Sequence, residues 1–147
     1  MGGGRGDPAR DRSSRTGPSA EAGVNWLLVV AGAVVGAPLR YLTDRAVQAR
    51  HDSVFPWGTF VVNAGACLVL GALTGAALAG AAPAWLNLLL GPGLCGALST
   101  YSTFSYETLR LYERGRRFLA AANVAASVLA GLGAVTLGSQ VARQLFA

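Results

Sequence analysis

The sequence predicts an all-α integral membrane protein with four transmembrane helices in one domain, and three observations carry that prediction. Only 13% of the 147 residues are charged and 52% are hydrophobic, with a mean hydropathy of +0.43; soluble domains carry roughly twice that charge fraction. No charged residue lies between Thr59 and Asn87, nor between Phe118 and Val141. Each of those stretches exceeds the roughly 20 apolar residues that a helix rising 1.5 Å per residue needs to cross hydrocarbon.

In chain order, residues 1–23, MGGGRGDPARDRSSRTGPSAEAG, lack any apolar period and read as a disordered tail. The run VNWLLVVAGAVVGAPL has the apolar character of a signal peptide. It continues into an amphipathic stretch and three more spans, so it reads as a first transmembrane helix at about residues 24–46. The connection QARHDSVFPWG holds His51, the single histidine, placed in solvent rather than in a ligand set. A second helix follows at about 59–80, a tight turn at AGAAPAW, a third segment at about 85–112, the basic loop ERGRR, and a fourth helix at about 118–143. Gly32 with Gly36, and Gly71 with Gly75, have the spacing of small-residue faces that let helices approach closely in lipid.

The third segment is the unusual one. Pro92 lacks an N–H and is flanked by Gly91, Gly93 and Gly96, so an interruption is expected between Gly91 and Thr100. Inside hydrocarbon an interrupted helix is tolerated only when it is buried in protein or lines a cavity. Two outcomes are open from local chemistry: a true break whose freed groups face ions, or a kink healed by neighbouring helices. Beyond it, STYSTFSY crowds hydroxyls into an apolar run. Tyr101 and Phe104 share one helix face, while Ser102, Ser105 and Tyr106 share another. Rings carry a positive edge, so such a face attracts an anion weakly, although aromatics at this spacing also serve as plain core. Asn63 on the second helix, and Asn123 and Ser127 four apart on the fourth, extend the polar character.

Several function classes are excluded. The net charge of +5 comes from twelve arginines and no lysine, placed in the tail and loops, which fits membrane flanks and not nucleic acid. No nucleotide motif and no nucleophile–base pair is present, so no enzyme is expected. Cys67 and Cys95 sit in apolar runs and read as small hydrophobes. No Arg, Asp or Glu is placed mid-membrane, so a pathway here works with dipoles and hydrogen bonds, which suits a small, strongly hydrogen-bonding ion.

Three stretches, GAPLRY (36–41), PWGTFVVNAGACLVLG (56–71) and GLCGALSTYSTFSYE (93–107), resemble in order and spacing the signatures of the Fluc (CrcB) fluoride channels. The resemblance covers the chain from about Val24 to its end. It implies an antiparallel, dual-topology dimer in the cell membrane, with two fluoride pores and a third helix broken near the membrane midplane. The partner would be an antiparallel copy or a homologous subunit. The resemblance further implies a central structural Na⁺ held by the backbone carbonyls of Gly96 and Ser99. It places Asn63, Tyr101, Ser102, Thr103, Phe104 and Ser127 along the fluoride pore, with Arg40 at a vestibule or as a helix anchor.

Two departures accompany the resemblance. The family usually has Phe where this chain has Tyr101, and often Thr where it has Ser99. The arginines add a further question. Arg40, Arg45, Arg50, Arg110, Arg114, Arg116 and Arg117 lie at one end, and without the tail only Arg143 opposes them. That imbalance favours one fixed orientation, whereas the count with the tail suits dual topology. A self-sufficient channel and one subunit of a mixed dimer are both consistent with the sequence. A third class, the small proton-coupled multidrug exporter, also has four short helices but needs an embedded carboxylate. Here Glu21 precedes the first apolar run and Glu107 lies near the far end of the third segment.

Overall fold

The computed structural model describes residues 18–51 and 53–146, and every regular element among them is helical. Most of the stretch read as a tail, residues 1–17, lies outside the described residues. Helix α1 (Pro18–Gln48) begins inside that stretch and carries Glu21 in its first turn and Arg45 in its last. Both charges suit the helix dipole. Pro38 lies within α1 and costs it one backbone hydrogen bond.

Helix α2 (Trp57–Leu78) is packed at its start by the rings of Phe55, Trp57 and Phe60, with centroids 4.8–6.1 Å apart. It stops where Gly80 turns left-handed at φ +73°. There Gly80 N–H reaches Ala77 O and Ala81 N–H reaches Ala76 O, the paired bonds of a Schellman end. The third segment is built in pieces: α3 (Ala84–Leu88), a π-helical turn (Leu89–Cys95), α4 (Gly96–Leu98) and α5 (Tyr101–Glu113). Gly115, at φ +75°, ends α5 as Gly80 ends α2, with Arg116 N–H donating to Leu111 O. These two turns need a residue that tolerates positive φ, and glycine supplies it.

Pro92 falls inside the π-helical turn, so the proline that signals an interruption is absorbed by widening the helix. The chain leaves helical geometry further on, at Ser99 (φ −74°, ψ 155°) and Thr100 (φ −149°, ψ 122°). Helix α6 (Arg117–Phe146) closes the fold.

Glycines set the helix crossings. A Cβ on Gly32 would strike the backbone of Leu89, Gly93 and Leu94, and one on Gly36 the backbone of Leu94. On the other side, Gly71 faces the backbone of Val135, Gly75 that of Ser139, and Gly138 that of Leu68 and Ala72. So α1 lies backbone to backbone on the π-helical turn, and α2 on α6, which is how helices gain van der Waals contact in lipid. The buried apolar core is small, consisting of Val62, Ala66, Cys95, Leu111, Ala120 and Ala142, while Trp26, Leu27, Phe118 and Leu129 are exposed. In water that distribution would be unstable; in a bilayer the exposed apolar residues face their natural solvent. Among the described residues three helices are long and apolar enough to cross a membrane: Glu21–Gln48, Trp57–Leu78 and Arg117–Phe146.

Candidate functional site

The site is organised around the two extended residues that separate α4 from α5. Thr100 caps α5: its Oγ1 accepts from Thr103 N–H at 3.3 Å. Its backbone is held from α2 by a single side chain. Asn63 Oδ1 accepts from Thr100 N–H at 2.8 Å, and Asn63 Nδ2 donates to Thr100 O at 3.3 Å. The amide replaces the backbone acceptor that Thr100 N–H would have had in a regular helix, and adds a second donor at the Thr100 carbonyl.

Those two bonds change what the neighbouring carbonyls can do. In an uninterrupted helix, Thr100 N–H would go to Gly96 O and Thr103 N–H to Ser99 O. Here Asn63 takes the first donor and the Thr100 side chain takes the second. The carbonyls of Gly96 and Ser99 are thereby released from their helical donors. Released carbonyl oxygens are the ligand type a hard cation prefers, so this pair fits Na⁺. One chain brings two such oxygens, fewer than a hard cation gathers.

On the far side of α5's first turn, Arg40 Nη2 donates to Thr103 Oγ1 at 2.6 Å, tying α1 to α5. Thr100 Oγ1 lies 3.3 Å from the same oxygen and 3.2 Å from Ser102 Oγ. Arg40, Thr103, Thr100 and Asn63 therefore form one continuous network across three helices. Tyr101 and Phe104 stack along α5 with centroids 6.3 Å apart and planes tilted by 43°. Phe104 is half-buried, whereas Tyr101 is 82% exposed and Ser102 is exposed beside it. Ser127 is half-buried on α6 and stands apart from this network.

Further along α5, Asn123 of α6 is the most deeply buried large side chain, 1% exposed. Its Nδ2 donates to Thr108 Oγ1 at 2.8 Å, and Thr108 in turn donates to Phe104 O at 2.7 Å. Next to Thr108, Glu107 is half-buried among Thr59, Asp44 and Arg40, and its Oε2 has no hydrogen-bond partner among the described residues. Beside it opens a groove of about 480 Å³ whose walls include His51, Trp57, Glu107, Arg110 and Arg114. His51 is exposed, with Nδ1 3.2 Å from Val47 O.

The structure thus brings Arg40, Asn63, Thr103, Gly96 and Ser99 to one locus, with Tyr101, Ser102 and Phe104 on the adjoining face. Sequence reasoning does not single out Thr100 or Thr108 as site residues. Thr100 is legible in principle, because a Thr at the restart of a helix after an expected interruption is an N-cap signal. Thr108 is not, since its role depends on which α6 residue lies opposite.

A family profile described as CrcB-like protein, Camphor Resistance (CrcB), matches residues 27–139. The Streptomyces avermitilis protein named fluoride-specific ion channel FluC 1 is 69% identical over 124 residues, covering 84% of this chain and 100% of that protein. The Frankia casuarinae protein of the same name is 68% identical over 128 residues, covering 84% and 99%. A Mycobacterium tuberculosis protein named fluoride-specific ion channel FluC 2 is 41% identical over 118 residues, covering 80% and 90%.

Proposed function

The chain belongs to the CrcB-like family, a family of channels and not of enzymes, and from that premise we propose that it conducts fluoride selectively out of the cytoplasm. It is a multi-pass membrane protein. In this reading α3, the π-helical turn, α4 and α5 together make the third of four spans. The working unit is an antiparallel, dual-topology dimer with two pores and a central structural Na⁺.

One observation carries the reading furthest. The face of α5 that begins at the break presents Tyr101, 82% exposed, next to the exposed hydroxyl of Ser102. A hydroxyl-and-ring face turned to lipid is costly, so a second subunit covers it, and the seam between them becomes a polar path. Fluoride gives up tightly held water only where other donors replace it. Asn63, Ser102, Thr103 and Ser127 supply N–H and O–H groups, and Tyr101 and Phe104 supply positive ring edges. Na⁺, when bound, supplies the charge that satisfies the released carbonyls of Gly96 and Ser99 from each copy. The physiological need is chemical: HF crosses bilayers and ionises inside, and the trapped anion leaves only through a pore.

A second reading, one subunit of a heterodimeric channel, is favoured by Tyr101 and by the seven arginines gathered at one end. Liposomes containing only this purified chain separate the two. Fluoride efflux on a fluoride electrode, without chloride efflux in parallel, supports the homodimer. Folded, inserted protein that releases no fluoride overturns it and sends the search to a second homologous chain. Release of both anions would overturn fluoride selectivity.

A further inference from the structure

The hydrogen bonds around the first turn of α5 fix not only positions but polarity. Asn63 can present either end of its amide in principle. Here Oδ1 is occupied by Thr100 N–H at 2.8 Å and one Nδ2 hydrogen by Thr100 O at 3.3 Å. A backbone N–H cannot accept and a backbone C=O cannot donate, so a flipped amide would set donor on donor and acceptor on acceptor. Left over on Asn63 are one N–H, now fixed in direction, and the second lone pair of Oδ1.

Thr103 is constrained further. Its hydroxyl has two lone pairs and one hydrogen. Arg40 Nη2 donates into it at 2.6 Å, and a guanidinium has no acceptor, so the direction of that bond cannot reverse. Thr100 Oγ1 approaches the same oxygen at 3.3 Å from the donor side. Thr100 Oγ1 is itself engaged by Thr103 N–H. With its acceptor capacity taken, Thr103 has only its hydrogen to offer elsewhere.

We propose that Arg40 and the Thr100 hydroxyl are positioning groups that make Thr103 donor-only, and that this locked polarity selects an anion over a cation in the path. The proposal rests on the fluoride-channel reading and adds how that path rejects cations. A cation approaching the Thr103 hydroxyl meets no free lone pair; an anion meets its hydrogen and, from Asn63 nearby, a spare N–H. The discrimination uses no charged ligand in direct contact with the ion, because the arginine acts through the threonine. Ordinary hydroxyl lining would lack this property, since an unconstrained Ser or Thr rotates to suit either sign of charge.

The test compares the unmodified chain with Arg40→Met, Arg40→Lys, Thr103→Val and Thr103→Ser in bilayers under a sodium fluoride gradient. Fluoride flux gives one readout and the reversal potential gives the fluoride-to-sodium preference. In Arg40→Met eluting at the unmodified size, flux is expected to fall about tenfold or more, the worth of one hydrogen bond to an ion, and the reversal potential to move toward sodium. Arg40→Lys, which restores a donor without an acceptor, is expected to recover part of both. A folded Arg40→Met with unchanged flux and preference overturns the proposal. If Arg40→Met does not fold, Thr103→Val decides: retained flux and preference overturn it, while loss with partial recovery in Thr103→Ser supports it. A flux loss with unmoved preference would mean a structural role only and also overturns it. If the unmodified chain carries no fluoride, the channel reading fails and the selectivity claim falls with it. The Arg40–Thr103 bond is then judged alone by the unfolding midpoint, lower in Thr103→Val than in Thr103→Ser if it exists, equal in both if it does not.

Discussion

Asn123 Nδ2 sits 2.8 Å from the Thr108 hydroxyl, which passes its own hydrogen to the Phe104 carbonyl 2.7 Å away. The chain of bonds runs from the most buried side chain of α6, through α5, to the backbone of a ring-bearing residue at the candidate pore. Asn123→Ala removes the donor and opens a small cavity between the helices. It is expected to lower stability by about 1–2 kcal/mol, read as a lower unfolding midpoint in detergent. An unchanged midpoint would show that α5 is held by apolar contact alone.

The α2–α6 crossing is limited by backbone contact. Gly71→Ala places a methyl against the Val135 backbone, which cannot rotate away as a side chain could. The expected cost is about 1–3 kcal/mol. A methyl on Gly133 of α6 would project into open space, with nothing within 4 Å, and Gly133→Ala removes a helix-weakening residue worth about 1 kcal/mol. Thermal unfolding of the two variants side by side should therefore split them in opposite directions. Equal midpoints would contradict the crossing.

Tyr101 bears on the choice between one kind of subunit and two. Its ring lies 6.3 Å from Phe104, while its hydroxyl joins none of the hydrogen bonds around the break among the described residues. Tyr101→Phe should fold with its midpoint unmoved beyond the roughly 0.5 kcal/mol of a surface change. It should also raise fluoride efflux by removing a competing donor and acceptor. Tyr101→Leu keeps bulk but loses the ring edge, and efflux should drop well below the unmodified rate. Equal efflux from Tyr101→Leu and the unmodified chain would remove the ring from the path.

The released carbonyls of Gly96 and Ser99 predict a cation effect on stability. In choline chloride the protein should unfold at a lower temperature than in sodium chloride at equal ionic strength. The Thr100→Val variant, which removes the hydroxyl that holds Thr103 N–H and so loosens the break, should narrow that difference. A midpoint indifferent to sodium would leave those carbonyls without a cation to hold.

How much of this is readable from the chain depends on distance in sequence. The apolar spans and the charge-free runs are local properties, and the helices Trp57–Leu78 and Arg117–Phe146 follow them closely. Gly32, Gly36, Gly71 and Gly75 are recognisable as crossing points because their spacing is local too. Pro92 shows the limit of local reasoning. Its chemistry demands a lost hydrogen bond but does not say how the loss is met, and here a π-helical turn meets it while the chain departs at Ser99.

The sequence by itself determined the solvent of this protein, the number and place of its apolar runs, and its family. Those follow from composition and from motifs in fixed order, which survive without coordinates. Only the tertiary structure decided that Asn63 spends its amide on Thr100, 37 residues away, and that Arg40 reaches Thr103, 63 residues away. A hydrogen bond needs its partners within about 3 Å at the right angle, and between helices that condition is set by how closely glycines let the backbones approach.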